Sequence, residues 1–333
     1  MLHSTARAIS SNGFLLSLAG ALLLGWLFSA QGAPGGLLRT EVTTKVAVIL
    51  IFFFNGLTLQ TETVLHGLAR WKLHVFIQLF LFVFTPLLFL IVLQPLQGWL
   101  DPDLRIGFLY LAILPCTIST AVVLAVQGGG NHPAALFNAT LANVIGVFLV
   151  PIAAAKFLAA SEGGSVDALA MLSKTVTLIL PSLVVGQLLR PTIRTIVDHR
   201  KRAIGRINTA LILFIVYAGF AASFAEQVWS ALGTSQIAVT ILLAVALCVV
   251  NMAASGLMLK ALRLPREDAI TGFFCSTLKT LAAGAPMAYA IFPAAGIPVG
   301  PILIPLLCFV AVQFSLGGIV VDRIKRSEKG VIS

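Results

Sequence analysis

The stretch GFFCSTLKTLAAGAP, residues 272–286, places Lys279 inside an apolar run, flanked by Ser276, Thr277 and Thr280. A cation near the centre of a bilayer costs about 2.5–3.5 kcal/mol even on the lenient insertion scale, so something must offset or exploit it. A second hydroxyl cluster, Thr117, Ser119 and Thr120, follows Pro115 in LPCTIST. Hydroxyls both donate and accept hydrogen bonds, and an ammonium attracts anions, so these residue types suit the binding of a small ion or anion. All five histidines fall in termini, loops or span ends, and the chain has no HExxH, CxxC pair or acidic dyad, which argues against a hydrolytic or metal-dependent enzyme. The GGG at 128–130 lacks a following Lys-Ser or Lys-Thr and reads as a turn before Pro133, not as a phosphate cradle.

The setting of these residues follows from composition. With 59% hydrophobic and only 10% charged residues over 333 positions, the chain is an integral membrane protein. Its net charge of +10 would suit nucleic acid only if the cations gathered on one soluble face, and here they sit in loops between apolar runs. No nucleic-acid partner is expected; the partner is the lipid bilayer. Cys116, Cys248, Cys275 and Cys308 all fall in apolar segments and read as small packing residues without disulfides.

A hydrocarbon core of about 30 Å takes roughly 20 residues of helix. Ten candidate spans run near 13–30, 46–65, 74–93, 106–126, 133–155, 169–189, 207–225, 235–259, 269–292 and 299–321. The first also fits a signal peptide, with Arg7, an apolar core and FSAQGA. Starting inside, the cytoplasmic segments hold sixteen Lys and Arg and the opposite side five, namely Arg39, Lys45, Arg105, Lys156 and Lys174. Only Lys279 is left within a span. Basic loops stay cytoplasmic, so both termini are expected there, in a multi-pass protein of the plasma membrane, or of the inner membrane in a bacterium.

The basic cluster RPTIRTIVDHRKRAIGR, 190–206, separates five spans from five. Odd-numbered halves invert the second copy relative to the first, an arrangement many secondary transporters use to build a central site. The reading divides the chain into a first repeat at 1–160, a linker with the sixth helix at 161–206, the rest of the second repeat at 207–323, and a cytoplasmic tail at 324–333. Aligning CTIST, 116–120, with STLKT, 276–280, pairs Thr117 with Thr277 and Thr120 with Thr280, each in the fourth span of its half. Thr117 and Lys279 lie about 18 and 16 Å of helix from their span ends, near the midplane. At that depth Lys279 is too far from an interface to snorkel.

Pro115 should break the fourth span, and Gly284 and Pro286 the ninth. Opened backbone at this depth must face protein or a watery cavity, and half-helix N-termini there attract anions. Ser and Thr can instead pack small against neighbours or bond back to their own helix. Four amides, Gln78, Asn138, Asn143 and Gln313, also lie in apolar spans, where such groups commonly act as glue between helices worth about 1 kcal/mol. Asn143 and Gln313 hold comparable places in the fifth and tenth spans, whereas Asn138 and Asn143 stand about 140° apart on one helix.

FNGLTLQTETVLHGLARWKLHVFIQLFLFVFTPLLF, LPCTISTAVVLAVQGGGNHPAALFNATLANVIGVFLVP and FFCSTLKTLAAGAPMAYAIF together resemble the bile acid:sodium symporter family, most closely its SBF-like branch. The resemblance covers nearly the whole chain. It implies an all-α polytopic fold of ten helices in two inverted five-helix repeats, core and panel domains, and broken fourth and ninth helices crossing at the binding site. It further implies transport of a small organic anion by alternating access, with sodium as the one candidate cofactor. Thr117, Ser119 and Thr120 match the family's fourth-span sodium-ligand motif, and Gln78 its third-span glutamine. Thr277 stands about where the family's sodium symporters carry glutamate, and Lys279 follows two residues later. An ammonium a few ångströms away repels sodium by several kcal/mol at an intermediate dielectric. Three roles for Lys279 stay open: it replaces a sodium ion, it binds an anionic substrate, or it exchanges a proton during transport. The branch also includes proteins implicated in calcium homeostasis, so a non-transporting membrane regulator is the alternative.

Overall fold

The computed structural model describes residues 2–58, 70–161 and 168–329. The end of the second expected span, with Glu62, lies outside these residues. Every regular element described is helical, as lipid demands of a chain whose backbone donors must find acceptors internally. In order these are α1 (Leu2–Leu27), α2 (Ser29–Gly32), α3 (Thr40–Thr58), α4 (Trp71–Leu79), a π-turn at Phe80–Phe84, α5 (Thr85–Leu93), α6 (Pro102–Ile113) and α7 (Ile118–Gln127). There follow α8 (His132–Ser161), α9 (Ala168–His199), α10 (Lys201–Ala225), α11 (Val228–Leu262), α12 (Arg266–Thr277), α13 (Leu281–Ile291) and α14 (Val299–Lys329).

Seven helical segments among the described residues are long and apolar enough to cross a membrane. Of the ten expected spans, the first contributes a shorter apolar stretch, Leu16–Leu27, within α1. The fourth and ninth are each divided, as α6 with α7 and α12 with α13. The fourth divides where expected, with Leu114 and Thr117 extended on either side of Pro115. The ninth does not. Its break is expected at Gly284 and Pro286, but the interruption falls at Leu278–Thr280 and both residues lie inside α13. The reason is that the backbone of 278–280 finds partners outside the helix, described below, so no helix-breaking residue is needed there.

Two compact units divide the chain, each assembled from three stretches. The first comprises Met1–Leu59, Leu158–Ile237 and Ala285–Ile304. Its α3 and α9 cross on a pair of glycines: a Cβ added at Gly56 would stand 2.2 Å from the Leu183 carbonyl oxygen, and one at Gly186 would stand 2.2 Å from that of Phe53. Small residues let helix backbones approach this closely, which is how association is gained where lipid supplies no hydrophobic drive. Gly186→Val should therefore push the helices apart and cost about 1–3 kcal/mol, read as a lowered melting temperature of the detergent-solubilised protein.

The second unit comprises Gln60–Phe157, Ala238–Gly284 and Pro305–Ser333, and contains both broken spans. Asp101 caps α6 by accepting from the backbone N–H groups of Asp103 and Leu104 at 2.9 and 3.3 Å, with Pro102 at the first helical position. At the start of α12 the buried Asp268 carboxylate pairs with Arg70. Each anchor fixes the outer end of a half-helix whose inner end carries the site.

Candidate functional site

The two interruptions pair with each other. Cys116 and Lys279 face one another in a single antiparallel bridge. The Thr117 N–H donates to the Leu278 carbonyl at 3.2 Å and the Thr280 N–H to the Pro115 carbonyl at 3.1 Å. Two amides then hold the carbonyls of the two central residues. Asn143 Nδ2 donates to the Cys116 carbonyl at 2.8 Å, and Gln313 Nε2 donates to the Lys279 carbonyl at 2.8 Å while its Oε1 accepts from the Lys279 N–H at 2.7 Å. Buried backbone left unpaired costs about 1–3 kcal/mol per group, so these bonds are what permit non-helical chain at this depth.

This local pattern corrects the hydroxyl alignment. Thr117 corresponds to Thr280, not Thr277, since each precedes the first residue of its second half-helix. Thr280 Oγ1 accepts weakly from the Ala283 N–H at 3.4 Å, whereas Thr277 ends α12 and its hydroxyl bonds back to the Phe273 carbonyl at 2.7 Å. Ser276 meets Ser255 of α11 at 2.8 Å. Ser119 is exposed and Thr120 half-buried in the first turn of α7.

Lys279 is fully buried. Its Nζ donates to the carbonyls of Ala112 and Leu114 at 2.8 Å each, and to that of Leu81 at 3.4 Å. The first two belong to the C-terminal end of α6, where the break at Pro115 leaves carbonyls without helical donors and the helix dipole is negative. The third is released by the π-turn. The Thr85 N–H bonds to Phe80 five residues back, and the next residue, Pro86, has no N–H to offer Leu81. Three main-chain oxygens thus converge on one ammonium, and among the described residues no carboxylate bonds to it.

Gln78 and Asn138 form a separate cluster. Gln78 Nε2 donates to the Asn138 carbonyl at 3.3 Å, and Asn138 Nδ2 meets His74 Nδ1 at 2.9 Å and the Ala134 carbonyl at 2.8 Å. Sequence reasoning misses Leu81, Ala112 and Leu114 because a carbonyl carries no residue signature. The FTP of residues 84–86 was the available signal. It also misses Tyr110, whose hydroxyl donates to the Gly284 carbonyl at 2.6 Å, and the Thr85–Asn251 bond at 3.0 Å. Asn251 and Ser255, one turn apart on α11, were readable as a polar pair in an apolar span.

Long apolar helices, together with two interrupted spans in the second unit whose breaks pair through backbone and enclose a cation, are the build of a multi-pass membrane transporter. The chain belongs to the SBF-like CPA transporter family, which matches residues 12–326. It is similar to protein PA2026 of Pseudomonas aeruginosa, at 30% identity over 97% of this chain and 95% of that one. It is likewise similar to Sodium/bile acid cotransporter 7-B of Xenopus laevis, 31% identical over 94% of this chain and 91% of the relative. Sodium/bile acid cotransporter 7 of Danio rerio gives 31% over 94% and 93%.

Proposed function

We propose that this protein is a secondary transporter of small organic anions that works by alternating access, and that the Lys279 ammonium stands at the paired breaks in place of a sodium ion. The observation that carries the reading is the set of three carbonyls around Nζ. Main-chain oxygens are the ligands a hard monovalent cation takes, and here they are engaged by a cation that is covalently attached. Sodium does not fit beside it: Thr277 offers an uncharged hydroxyl already bonded within α12, and the ammonium would repel a second cation.

Of the three roles open to Lys279 in the sequence, direct binding of substrate is the least supported, because Nζ is enclosed and its donors are engaged. The substrate's negative charge is better matched by the first turn of α7, where Ser119 is exposed and Thr120 half-buried at the positive end of a helix. The test is uptake by proteoliposomes across a panel of bile acids, dicarboxylates and sulfonates, with external sodium exchanged for choline. An accepted anion should enter equally well in either salt. Uptake that collapses without sodium, or strong thermal stabilisation of the wild-type protein by sodium alone, would overturn the assignment of Lys279.

A further inference from the structure

The basic cluster at 190–206 takes no part in the paired breaks. It forms the elbow between α9 and α10, both in the first unit, at the ends of two membrane-long helices. The elbow is braced from within. Arg190 is buried and donates from Nη1 to the Leu57 carbonyl at 2.5 Å. Asp198 lies 3.9 Å from Arg190 Nη2 and 3.7 Å from Arg194 Nε. Val197 is packed under the last turn of α9, and a bend at Ile193 turns that segment out of the line of the helix.

Asp198 is therefore committed to Arg190 and Arg194, and it is the one carboxylate between residues 190 and 206. Arg200, Lys201, Arg202 and Arg206 all point outward as exposed side chains. They crowd the first turns of α10, the positive end of its dipole, where cations are disfavoured and the fold gains nothing from them. On the same elbow Leu188, Ile196 and Ile207 are 72%, 61% and 49% exposed. Exposed cations and exposed apolar side chains on one stretch of chain match one kind of occupant, in which an anion and hydrocarbon are covalently joined.

We propose that the α9–α10 elbow is a binding site for an anionic glycerophospholipid, with Arg200, Lys201, Arg202 and Arg206 around its phosphodiester and Leu188, Ile196 and Ile207 along its acyl chains. Guanidinium groups fork onto phosphate oxygens, and each cation near such a surface adds to the attraction. The inference is independent of what the protein transports and of the role of Lys279.

Native mass spectrometry of the full-length protein, titrated with palmitoyl-oleoyl phosphatidylglycerol or its phosphatidylcholine counterpart, tests it. The wild type should retain phosphatidylglycerol about tenfold more tightly, and the fourfold variant R200Q/K201Q/R202Q/R206Q should lose that preference. Double variants R200Q/K201Q and R202Q/R206Q should each lower it by about threefold, which keeps the test available if the fourfold protein is not recovered. Neutralising a different basic loop, as K260Q/R263Q/R266Q, should leave it in place. Equal retention of the two lipids by the wild type, an unchanged preference in the elbow variants, or displacement of the lipid by millimolar inorganic phosphate would each overturn the proposal. So would an equal loss in the control loop, since that would reduce the effect to net charge.

Discussion

Lys279→Ala is expected to lower anion uptake about a hundredfold while leaving the protein folded, and to create a response to sodium that the wild type lacks. The stability side follows from two opposed terms. Two charge-assisted bonds at 2.8 Å, worth about 1.5–3 kcal/mol each, and a longer third bond are lost. Against this, a buried ammonium no longer has to be desolvated, a relief of several kcal/mol. The terms nearly cancel, so the net change should stay within about 2 kcal/mol. Function has no such cancellation. The charge-assisted bonds from Nζ to the carbonyls at the end of α6 are worth about 1.5–3 kcal/mol each, and withdrawing about 2.8 kcal/mol from the transported state slows uptake by about two decades.

The sodium response separates a tethered cation from a merely structural lysine. Alanine leaves the Leu81, Ala112 and Leu114 carbonyls facing a space that an ion can enter, so sodium should stabilise the variant by about 1.4–2.7 kcal/mol at ten to a hundred times its dissociation constant. Lys279→Met fills the same space without a charge and should lose uptake with no sodium response. Thermal unfolding in sodium and in choline measures both. Equal curves for Lys279→Ala in the two salts would show that the three carbonyls do not form a cation site.

Gln313→Leu should be the most destabilising conservative change at the pairing, costing about 2–5 kcal/mol, because two backbone groups of Lys279 lose their partner at once. Leucine keeps nearly the same volume, so cavity terms stay small and the effect reports hydrogen bonding. Asn143→Leu removes one bond to the opposite interruption and should cost about 1–2 kcal/mol, since the Cys116 carbonyl alone is left and Asn143 is only half-buried. Melting temperatures of the two variants in the same detergent give the comparison. An equal effect, or the reverse order, would mean that the paired backbone is not held as its hydrogen bonds indicate. Uptake should fall with Gln313→Leu as well, because displaced backbone at Lys279 moves the ammonium away from its acceptors.

Some of the site was legible without coordinates. Lys279, Pro115 and Gln313 announce themselves by type, as a cation, a helix breaker and an amide inside runs of apolar residues, where lipid makes each expensive. The hydroxyls were less informative. Thr277 bonds to its own helix, as an isolated threonine in a span commonly does, and the residue equivalent to Thr117 is Thr280 because strand-like pairing, not sequence similarity, sets the correspondence. Gly284 and Pro286 misled for a related reason. A proline within a helix loses one bond and is tolerated in a span when neighbours compensate, whereas Leu278–Thr280 leaves the helix because Pro115, Thr117 and Gln313 supply every bond it forgoes.

Sequence alone determined that the protein lives in a bilayer, where its cations gather, and that the fourth span is interrupted at Pro115, because hydrophobic length, charge placement and a midspan proline act locally along the chain. Only the tertiary structure decided where the ninth span opens and which groups Lys279 bonds to. Its partners are carbonyls, which every residue carries, released by a π-turn closed by Pro86 and by the end of α6, and brought together from segments about 170–200 residues away in the chain. Convergence of that kind depends on how helices pack, and packing is a property of the folded whole.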